Sequence, residues 1–163
     1  MELTQADHEK FMRRAIELAH KASIDFSTGG VFGAVIVRNG EIIAEGMNRV
    51  VASHDPTWHA EMEAIRLACT TLQNFKLDDC ILYASGEPCP MCLATSYWAG
   101  IPTIYYASGI EDALEYGNFD DSFISAEFMK PKEERKIKPI QILRDEAVSV
   151  WKEYAAKTDK VPY

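Results

Sequence analysis

Residues 32–46 read Phe-Gly-Ala-Val-Ile-Val-Arg-Asn-Gly-Glu-Ile-Ile-Ala-Glu-Gly, and this stretch decides how the sheet begins. Residues 32–38 are rich in β-branched side chains and predict a strand. Asn39-Gly40 is the preferred pair for a type I′ turn, and residues 41–46 return as a second strand. The first part of the sheet is therefore predicted to be an antiparallel hairpin.

Helices and strands are predicted on both sides of this hairpin. Before it, apolar residues recur at helical spacing over residues 7–26, and Asp7 is a candidate N-cap. After it, a helix is expected to begin near Trp58 or His59. Pro88 stands where the first turn of a helix tolerates proline. The remaining pattern predicts helices over 88–99, 145–156 and parts of 110–129, and strands over 80–84, 102–107 and 140–143.

This order of elements predicts an α/β fold. A hairpin followed by alternating strands and helices is typical of a three-layer α/β/α sandwich with a mixed sheet, here of five strands. The chain has 163 residues, of which 47% are apolar. That length is enough for one core and too short for two full domains. We therefore expect a single domain over residues 1–163.

The charge of the chain is acidic, with 25 acidic and 17 basic residues and a formal charge of −8. An acidic surface repels phosphate backbones, so nucleic acid is not expected as a partner. The basic residues within 130–138 are interrupted by Glu133 and Glu134, which favours a solvated loop. The N-terminal residues lack the apolar run of a signal peptide, and no segment approaches the roughly 20 apolar residues of a membrane span. We expect a cytoplasmic protein without a membrane association.

Two short motifs predict a metal site. Cys89 and Cys92 form a Pro-Cys-x-x-Cys motif, and a spacing of three on a helix places both sulfur atoms on one face. His59 and Glu61 form a His-x-Glu motif at the start of the preceding helix. One histidine and two cysteines give zinc three protein ligands and leave its fourth position to water, as in catalytic zinc sites. The combined pattern is the signature of zinc deaminases.

Each half of this pattern has other interpretations by itself. A Cys-x-x-Cys pair also occurs in redox-active and structural sites, and a lone His-x-Glu has little meaning. A structural zinc would need a fourth ligand, for which Cys69 and Cys80 are the candidates. Cys69 stands inside a predicted helix and Cys80 at the start of a predicted strand, which favours small core positions. The two motifs together therefore favour a catalytic zinc.

Six runs of sequence carry a resemblance to a known family. They are Gly-Gly-Val-Phe-Gly-Ala-Val-Ile-Val (29–37), Asn-Gly (39–40), Glu-Gly-Met-Asn (45–48), Asp-Pro-Thr-Trp-His-Ala-Glu (55–61), Ala-Ile-Arg (64–66) and Glu-Pro-Cys-Pro-Met-Cys (87–92). Together they resemble the cytidine deaminase superfamily. Within it, residues 32–37, the run Phe-Asp-Asp-Ser-Phe (119–123) and the final tyrosine resemble the small guanine deaminases of bacteria and their guanosine-deaminating relatives in plants.

The resemblance implies a hydrolytic deaminase with one zinc ion per subunit. His59, Cys89 and Cys92 would hold the metal, which activates a water molecule for attack on an amino-bearing ring carbon. Glu61 would take the water proton, deliver it to the ring nitrogen and then protonate the departing amine. The substrates would be water and a free nucleobase, and guanine would become xanthine with release of ammonia.

The resemblance also implies which side chains bind the base. In such relatives an asparagine at the position of Asn48 hydrogen-bonds the base, and the second aspartate of Phe-Asp-Asp, here Asp121, binds the purine. Phe32, Phe119 and Tyr163 complete the predicted site. By local pattern alone, Asn48 fits a turn, Asp121 a helix cap and Phe32 the core.

An exchanged dimer is a further implication of the resemblance. Relatives form a homodimer whose C-terminal segments are exchanged, so residues 144–163 are predicted to form an exchanged helix and tail. Phe119, Asp121 and Tyr163 would then serve the partner subunit's site.

Three departures from the family pattern leave the substrate open. Trp58 replaces the usual alanine before the zinc-binding histidine and is expected to narrow or re-line the pocket. Val31 replaces a proline, and Gly86 stands where relatives carry a side chain. Guanosine, cytosine or an aminotriazine are therefore alternative substrates. A tRNA adenosine deaminase is less favoured because of the acidic charge, and a noncatalytic zinc-binding protein would have no need of Glu61.

Overall fold

The computed structural model describes residues 3–161 as two compact units, which divide after Ser122. The first unit contains a sheet and the helices packed on it, and the second is helical. The helices are α1 (Gln5–His20), α2 (Val50–Ser53), α3 (Ala60–Leu72), α4 (Pro90–Ala99), α5 (Ile110–Gly117), α6 (Ser122–Met129) and α7 (Arg144–Ala156), with a π-helix (Lys21–Asp25) after α1 and a 3-10 helix (Lys132–Glu134) after α6. The strands are β1 (Gly33–Arg38), β2 (Glu41–Met47), β3 (Cys80–Gly86) and β4 (Thr103–Ser108).

The predicted hairpin is formed by β1 and β2. Asn39 and Gly40 both have positive φ angles, 53° and 82°, as a type I′ turn requires. β1 pairs antiparallel with β2 on one side and with β3 on the other, and β3 pairs parallel with β4. The sheet order is therefore β2-β1-β3-β4, which confirms the prediction of a mixed sheet.

The predicted fifth strand, over residues 140–143, is wrong. The described part of the sheet has four strands. Within the second unit, residues 123–161 contain no strand with which 140–143 would pair. Pro139 has no N–H to donate, and Leu143 adopts a left-handed conformation with φ 52°, which ends the extended backbone.

Helices cover both faces of the sheet, which confirms the three-layer arrangement in the first unit. Alternate strand residues point to opposite faces. The core on the α1 face comprises Phe11, Leu18, Val35, Val37 and Tyr83. The core on the α3 face comprises Ala34, Ile36, Ala44, Ala60, Ala64, Ile65, Ala68, Leu77, Cys80, Leu82 and Ala99. Cys80 is thus a core residue, and Cys69 packs against the same cluster, as their sequence context predicts.

Small side chains on α3 allow this helix to lie close to the sheet. Ala60, Ala64 and Ala68 are completely buried, and their spacing of four places them on one face of the helix. An alanine face keeps the helix axis near the strands that it covers. The start of α3, where the His-x-Glu motif lies, is therefore held rigidly against the hairpin.

Two helices begin at residues that differ from the predicted ones. α1 begins earlier than expected because Thr4, not Asp7, is its N-cap. The Thr4 hydroxyl accepts from the Asp7 N–H at 3.3 Å, and the Asp7 carboxylate accepts from the Thr4 N–H at 2.9 Å. α4 begins later, with Cys89 as N-cap and Pro90, not Pro88, in its first turn.

The described residues of the second unit, 123–161, contain no buried apolar side chain and are linked by polar contacts. The Glu127 carboxylate accepts from Lys130 Nζ and, at 2.6 Å, from the Lys136 N–H. Arg135 donates to the Phe128 carbonyl at 3.1 Å. The predicted last helix is confirmed as α7, and neither α6 nor α7 has a buried residue. Among the described residues, none of the helices combines the length and hydrophobicity that crossing a membrane requires.

Candidate active site

Two helix starts bring the predicted metal ligands together. His59 is the N-cap of α3 and Cys89 is the N-cap of α4, and both have extended backbone. His59 Nδ1 lies 3.5 Å from Cys89 Sγ and 3.6 Å from Cys92 Sγ. The three ligand atoms all lie within 4.8 Å of one another. The predicted ligands therefore form one cluster, although Cys89 caps the helix rather than sharing a helical face with Cys92.

This donor set fits zinc. With Zn–S bonds of about 2.3 Å and Zn–N bonds of about 2.0–2.1 Å, tetrahedral coordination separates nitrogen and sulfur by about 3.6 Å. The two observed distances from His59 Nδ1, 3.5 and 3.6 Å, agree with that spacing. Since the cluster offers one nitrogen and two sulfurs, a fourth coordination position is left for a small molecule.

The electrostatics of the cluster favour a thiolate. Hydrogen bonds from Cys92 and from His59 lower the pKa of Cys89 to about 4. The pKa of Cys92 is raised instead, because Cys92 donates to Cys89 and is buried. Helix N-termini add partial positive charge at both positions. A divalent cation that binds thiolates, such as zinc, would balance the negative charge of the Cys89 thiolate.

Glu61 lies in the first turn of α3 beside this cluster. It is 5% exposed, and burial raises its pKa above the usual carboxyl value. A buried carboxyl with a raised pKa is suited to take up and release a proton. The prediction placed Glu61 near the metal without making it a ligand, and the cluster of ligand atoms comprises His59, Cys89 and Cys92.

A cavity of about 130 Å³ opens in front of the cluster. His59, Glu61 and Cys89 form one part of its wall, and aromatic and acidic side chains form the rest. The lining residues are Phe32, His59, Glu61, Gly86, Glu87, Cys89, Gly109, Ile110, Ala113, Phe119, Asp120 and Asp121. The structure therefore places Phe32, Phe119 and Asp121 at this chain's own metal cluster. For Phe119 and Asp121, this corrects the expectation that they serve the partner subunit's site.

Two aromatic rings form a wall of the cavity. Phe32 and Phe119 meet edge to face, with ring centroids 5.4 Å apart. Gly86 makes room for this wall, because a Cβ at that position would lie 3.2 Å from the Phe32 ring. The side chain that Gly86 lacks is thus replaced by the closer approach of Phe32.

Asn48 is buried at the end of β2, in a second cavity of about 480 Å³ that shares Phe32, His59 and Phe119 with the first. Its Oδ1 accepts from the Gly30 N–H at 3.1 Å and from the Val50 N–H at 3.2 Å. Gly29 is needed here, since a Cβ at Gly29 would lie 2.0 Å from that oxygen. Asn48 Nδ2 makes no hydrogen bond within residues 3–161 and is left as a donor.

Acidic residues line the cavity wall contributed by the loop before α6. Asp121 is partly buried, and this burial together with the negative charge of Cys89 raises its pKa. Asp120 is its neighbour and accepts from the Ser122 hydroxyl at 2.5 Å. Both aspartates therefore line the cavity, and Asp120 also forms a turn with Ser122.

Four other residues bear on the predicted site, and only two of them, Trp58 and Tyr163, are predicted from the sequence. Tyr163 lies outside the described residues. Trp58 is not among the residues that line these two cavities, and its buried Nε1 has no hydrogen-bond partner within residues 3–161. No sequence motif marks Ile110 and Ala113 beyond their helical pattern, yet the start of α5 forms one wall of the cavity.

Comparisons with known proteins agree with this site. Residues 5–108 match the family model for the cytidine and deoxycytidylate deaminase zinc-binding region. The chain is 51% identical over 156 residues to guanine deaminase of Bacillus subtilis (strain 168), covering 94% of this chain and 99% of that protein.

Solved structures give the same result. The X-ray structure of guanine deaminase from Bacillus subtilis is similar with a TM-score of 0.91 and 49% identity, over 96% of this chain and 98% of that one. A structure of guanine deaminase from Nitrosomonas europaea is similar with a TM-score of 0.64 and 30% identity, over 96% of this chain and 88% of that one.

Proposed function

Since this chain belongs to the family of cytidine and deoxycytidylate deaminase zinc-binding regions, we propose that it hydrolyses guanine to xanthine and ammonia. The observation that carries the choice of substrate is the 51% identity to a guanine deaminase over 94% of this chain. The geometry supports the reaction class, because a three-ligand metal cluster, a buried carboxyl and an aromatic-walled cavity meet at one place.

The metal ligands in this proposal are His59, Cys89 and Cys92, with one zinc ion per subunit. Zinc, when bound, lowers the pKa of a water molecule from about 15.7 toward about 7. The protein supplies the donor spacing that fits this ion, and the three ligands would hold it beside the cavity that Glu61 also lines, where it would activate a water molecule.

Glu61 moves the protons of the reaction. Its carboxylate accepts a proton from the attacking water, whose oxygen forms a bond to the amino-bearing ring carbon. Glu61 then delivers the proton to the adjacent ring nitrogen. The new C–OH group then gives its remaining proton to Glu61, which passes it to the amino group; the carbon–nitrogen bond breaks as the carbonyl forms, and ammonia leaves. The burial that raises the pKa of Glu61 supports this exchange of protons.

Asn48, Asp121, Phe32 and Phe119 hold the base. Asn48 Nδ2 donates to an acceptor on the ring, since its oxygen is already used by two backbone N–H groups. The Asp121 carboxyl binds N–H groups of the base, and the two phenylalanine rings supply an apolar wall for its planar faces. Tyr163 is proposed as a further contact from the C-terminal tail on the resemblance alone.

The functional form in this proposal is a homodimer with exchanged residues 144–163. The second unit exposes large apolar side chains, among them Ile140, Ile142 and Trp151. In the first unit, β4 pairs with β3 only, within the described residues, and so has a free edge. Exposed edges and apolar segments are stabilised by pairing with another chain.

We place the protein in the cytoplasm, where reducing conditions preserve both cysteine ligands.

An ammonia-release assay tests this function. Purified zinc-loaded protein is compared on guanine, guanosine, cytosine, adenine and an aminotriazine, and guanine is expected to have the highest kcat/KM. Chelation should abolish ammonia release, and added zinc should restore it. Turnover of another ring without turnover of guanine would reject the substrate and keep the reaction class. No turnover of any ring by the zinc-loaded protein would reject the enzyme.

A further inference from the structure

One carboxylate holds the residues on both sides of Asn48. The Met47 N–H donates to Glu63 Oε2 at 2.7 Å, and Arg49 Nε donates to Glu63 Oε1 at 3.1 Å. The Glu63 side chain is 16% exposed, so these bonds are largely shielded from water. Charge-assisted bonds of this kind are stronger than neutral ones. Both neighbours of Asn48 are therefore fixed to α3.

The backbone of Asn48 itself is fixed to other elements. Its N–H donates to the Phe32 carbonyl at 3.1 Å, and its carbonyl accepts from the Thr28 hydroxyl at 2.8 Å. The Arg49 N–H donates to the Trp58 carbonyl at 3.0 Å, one residue before His59. The Asn48 amide thus has a defined direction, which is what a hydrogen bond to a ligand requires.

Glu63 connects this segment to the metal cluster. It lies one helical turn after His59, and its own N–H donates to the His59 carbonyl at 3.0 Å. The same first turns of α3 carry Glu61. We propose that Glu63 is a positioning residue, which sets the distance between Asn48 and the His59 and Glu61 side chains. This inference depends on the proposed role of Asn48 in binding the base.

The expected effect of losing Glu63 is on binding rather than on chemistry. A misplaced Asn48 would weaken a contact made to the base before and during the reaction, so KM should rise while kcat changes little. At metal sites, loss of the partner that orients a ligand side chain reduces affinity or activity by about 10-fold or more, and we take the same magnitude for Asn48. We therefore expect Glu63→Ala to raise KM for guanine about 10-fold and to change kcat by less than about 2-fold.

A double-mutant cycle with Asn48→Ala tests this inference. If Glu63 acts through Asn48, Glu63→Ala has no further effect on KM once Asn48 is alanine. Glu63→Gln keeps an acceptor for the Met47 N–H and should raise KM less than Glu63→Ala, and it also serves if the alanine variant does not fold. Glu45→Gln is the matched control. Glu45 lies on β2, as Met47 does, but its carboxylate pairs with Arg14 at 2.6 Å and not with the segment around Asn48. This variant should leave KM unchanged.

Amide exchange at Met47 gives a readout that is independent of turnover. The Met47 N–H should be protected in the wild-type protein and in Glu45→Gln, and it should exchange faster in Glu63→Ala. An inactive wild-type protein would reject the proposed function, whereas the exchange result would still decide whether Glu63 holds this segment. Additive effects on KM, or unchanged exchange at Met47 in a folded Glu63→Ala variant, would overturn the positioning role.

Discussion

The two units of the chain treat their apolar side chains in opposite ways. The first unit, through Ser122, buries a cluster on each face of its sheet, and Phe11 is 2% exposed and Ile36 0%. In the second unit Ile140 is 83% exposed and Trp151 69%. Large apolar surfaces in water usually mark an interface. The first unit therefore has a core that can hold a site, whereas the second exposes an apolar surface, which the proposed exchange between subunits would cover.

The largest expected effect tests whether the chemistry belongs to the first unit. Glu61→Gln should reduce kcat for guanine by about 10³-fold, because an amide cannot exchange protons with water and the ring. Zinc content and melting temperature should stay near those of the wild-type protein, since the amide has almost the same shape and is not a metal ligand. Ammonia release and metal analysis of the purified variant measure both.

A control and an opposite outcome complete this test. Glu9→Gln removes an exposed carboxylate of α1 that pairs with Arg13 at 2.7 Å, and it should keep full activity. Full activity in a zinc-loaded Glu61→Gln variant would show that another group transfers the protons. The conclusion that the first unit supplies the proton-transfer residue would then be wrong.

The next effect tests the exposed surface of the second unit. Ile142→Asp should raise the dimer dissociation constant at least about 100-fold, because an unpaired charge is costly in an apolar interface. The first unit should keep its melting transition, since it has its own core. Light scattering over a range of protein concentrations measures the mass, and circular dichroism measures the transition.

The neighbouring position supplies the matched control for this substitution. Gln141→Asp adds the same charge at an exposed polar residue, and alternate residues of an extended segment face opposite sides. It should leave the dimer intact. A wild-type protein that is monomeric at all concentrations, or a fully dimeric Ile142→Asp variant, would contradict the exchanged arrangement.

The sequence was informative where the decisive interactions are local. The Asn39-Gly40 turn is fixed by two adjacent residues, and Cys89 and Cys92 are only three residues apart. Residues 140–143 have the apolar pattern of a strand, but a strand also needs a partner, and the described second unit offers none. The hydrophobic pattern of a segment indicates which of its side chains can be buried, but it does not indicate which other segment pairs with it.

The same limit applies to the site. His59 and Glu61 are identified by sequence because their short motif occurs together with Pro-Cys-x-x-Cys, and the combination is chemically specific. Glu63 was missed because its role depends on Met47 and Arg49, which are distant in sequence and are brought to it by the hairpin. Trp58 directly precedes His59 in sequence, yet it is not among the residues that line the two cavities, so adjacency along the chain does not decide what faces the site.

The smallest expected effect concerns charge pairs on the surface of the first unit. Hydrogen bonds from Lys21 and Arg14 lower the pKa of Glu17 from 4.5 to about 2. A carboxyl whose pKa is lower in the folded state stabilises that state above its unfolded pKa, and the contribution is lost as pH falls through the folded pKa. Glu17→Gln should therefore lower the melting temperature slightly at pH 7, less near pH 2, and not at all well below pH 2.

Thermal melts of both proteins at several pH values measure this difference, which should shrink steadily as pH falls from about 4.5 to about 2. Glu127 offers the comparison within the second unit, since Lys130 and the Lys136 N–H also lower its pKa. Because residues 123–161 of the second unit bury no apolar side chain, Glu127→Gln should leave the transition of the first unit unchanged at every pH. A shift of that transition by Glu127→Gln as large as that caused by Glu17→Gln would mean that the two units unfold together, and that their contrast in burial does not extend to stability.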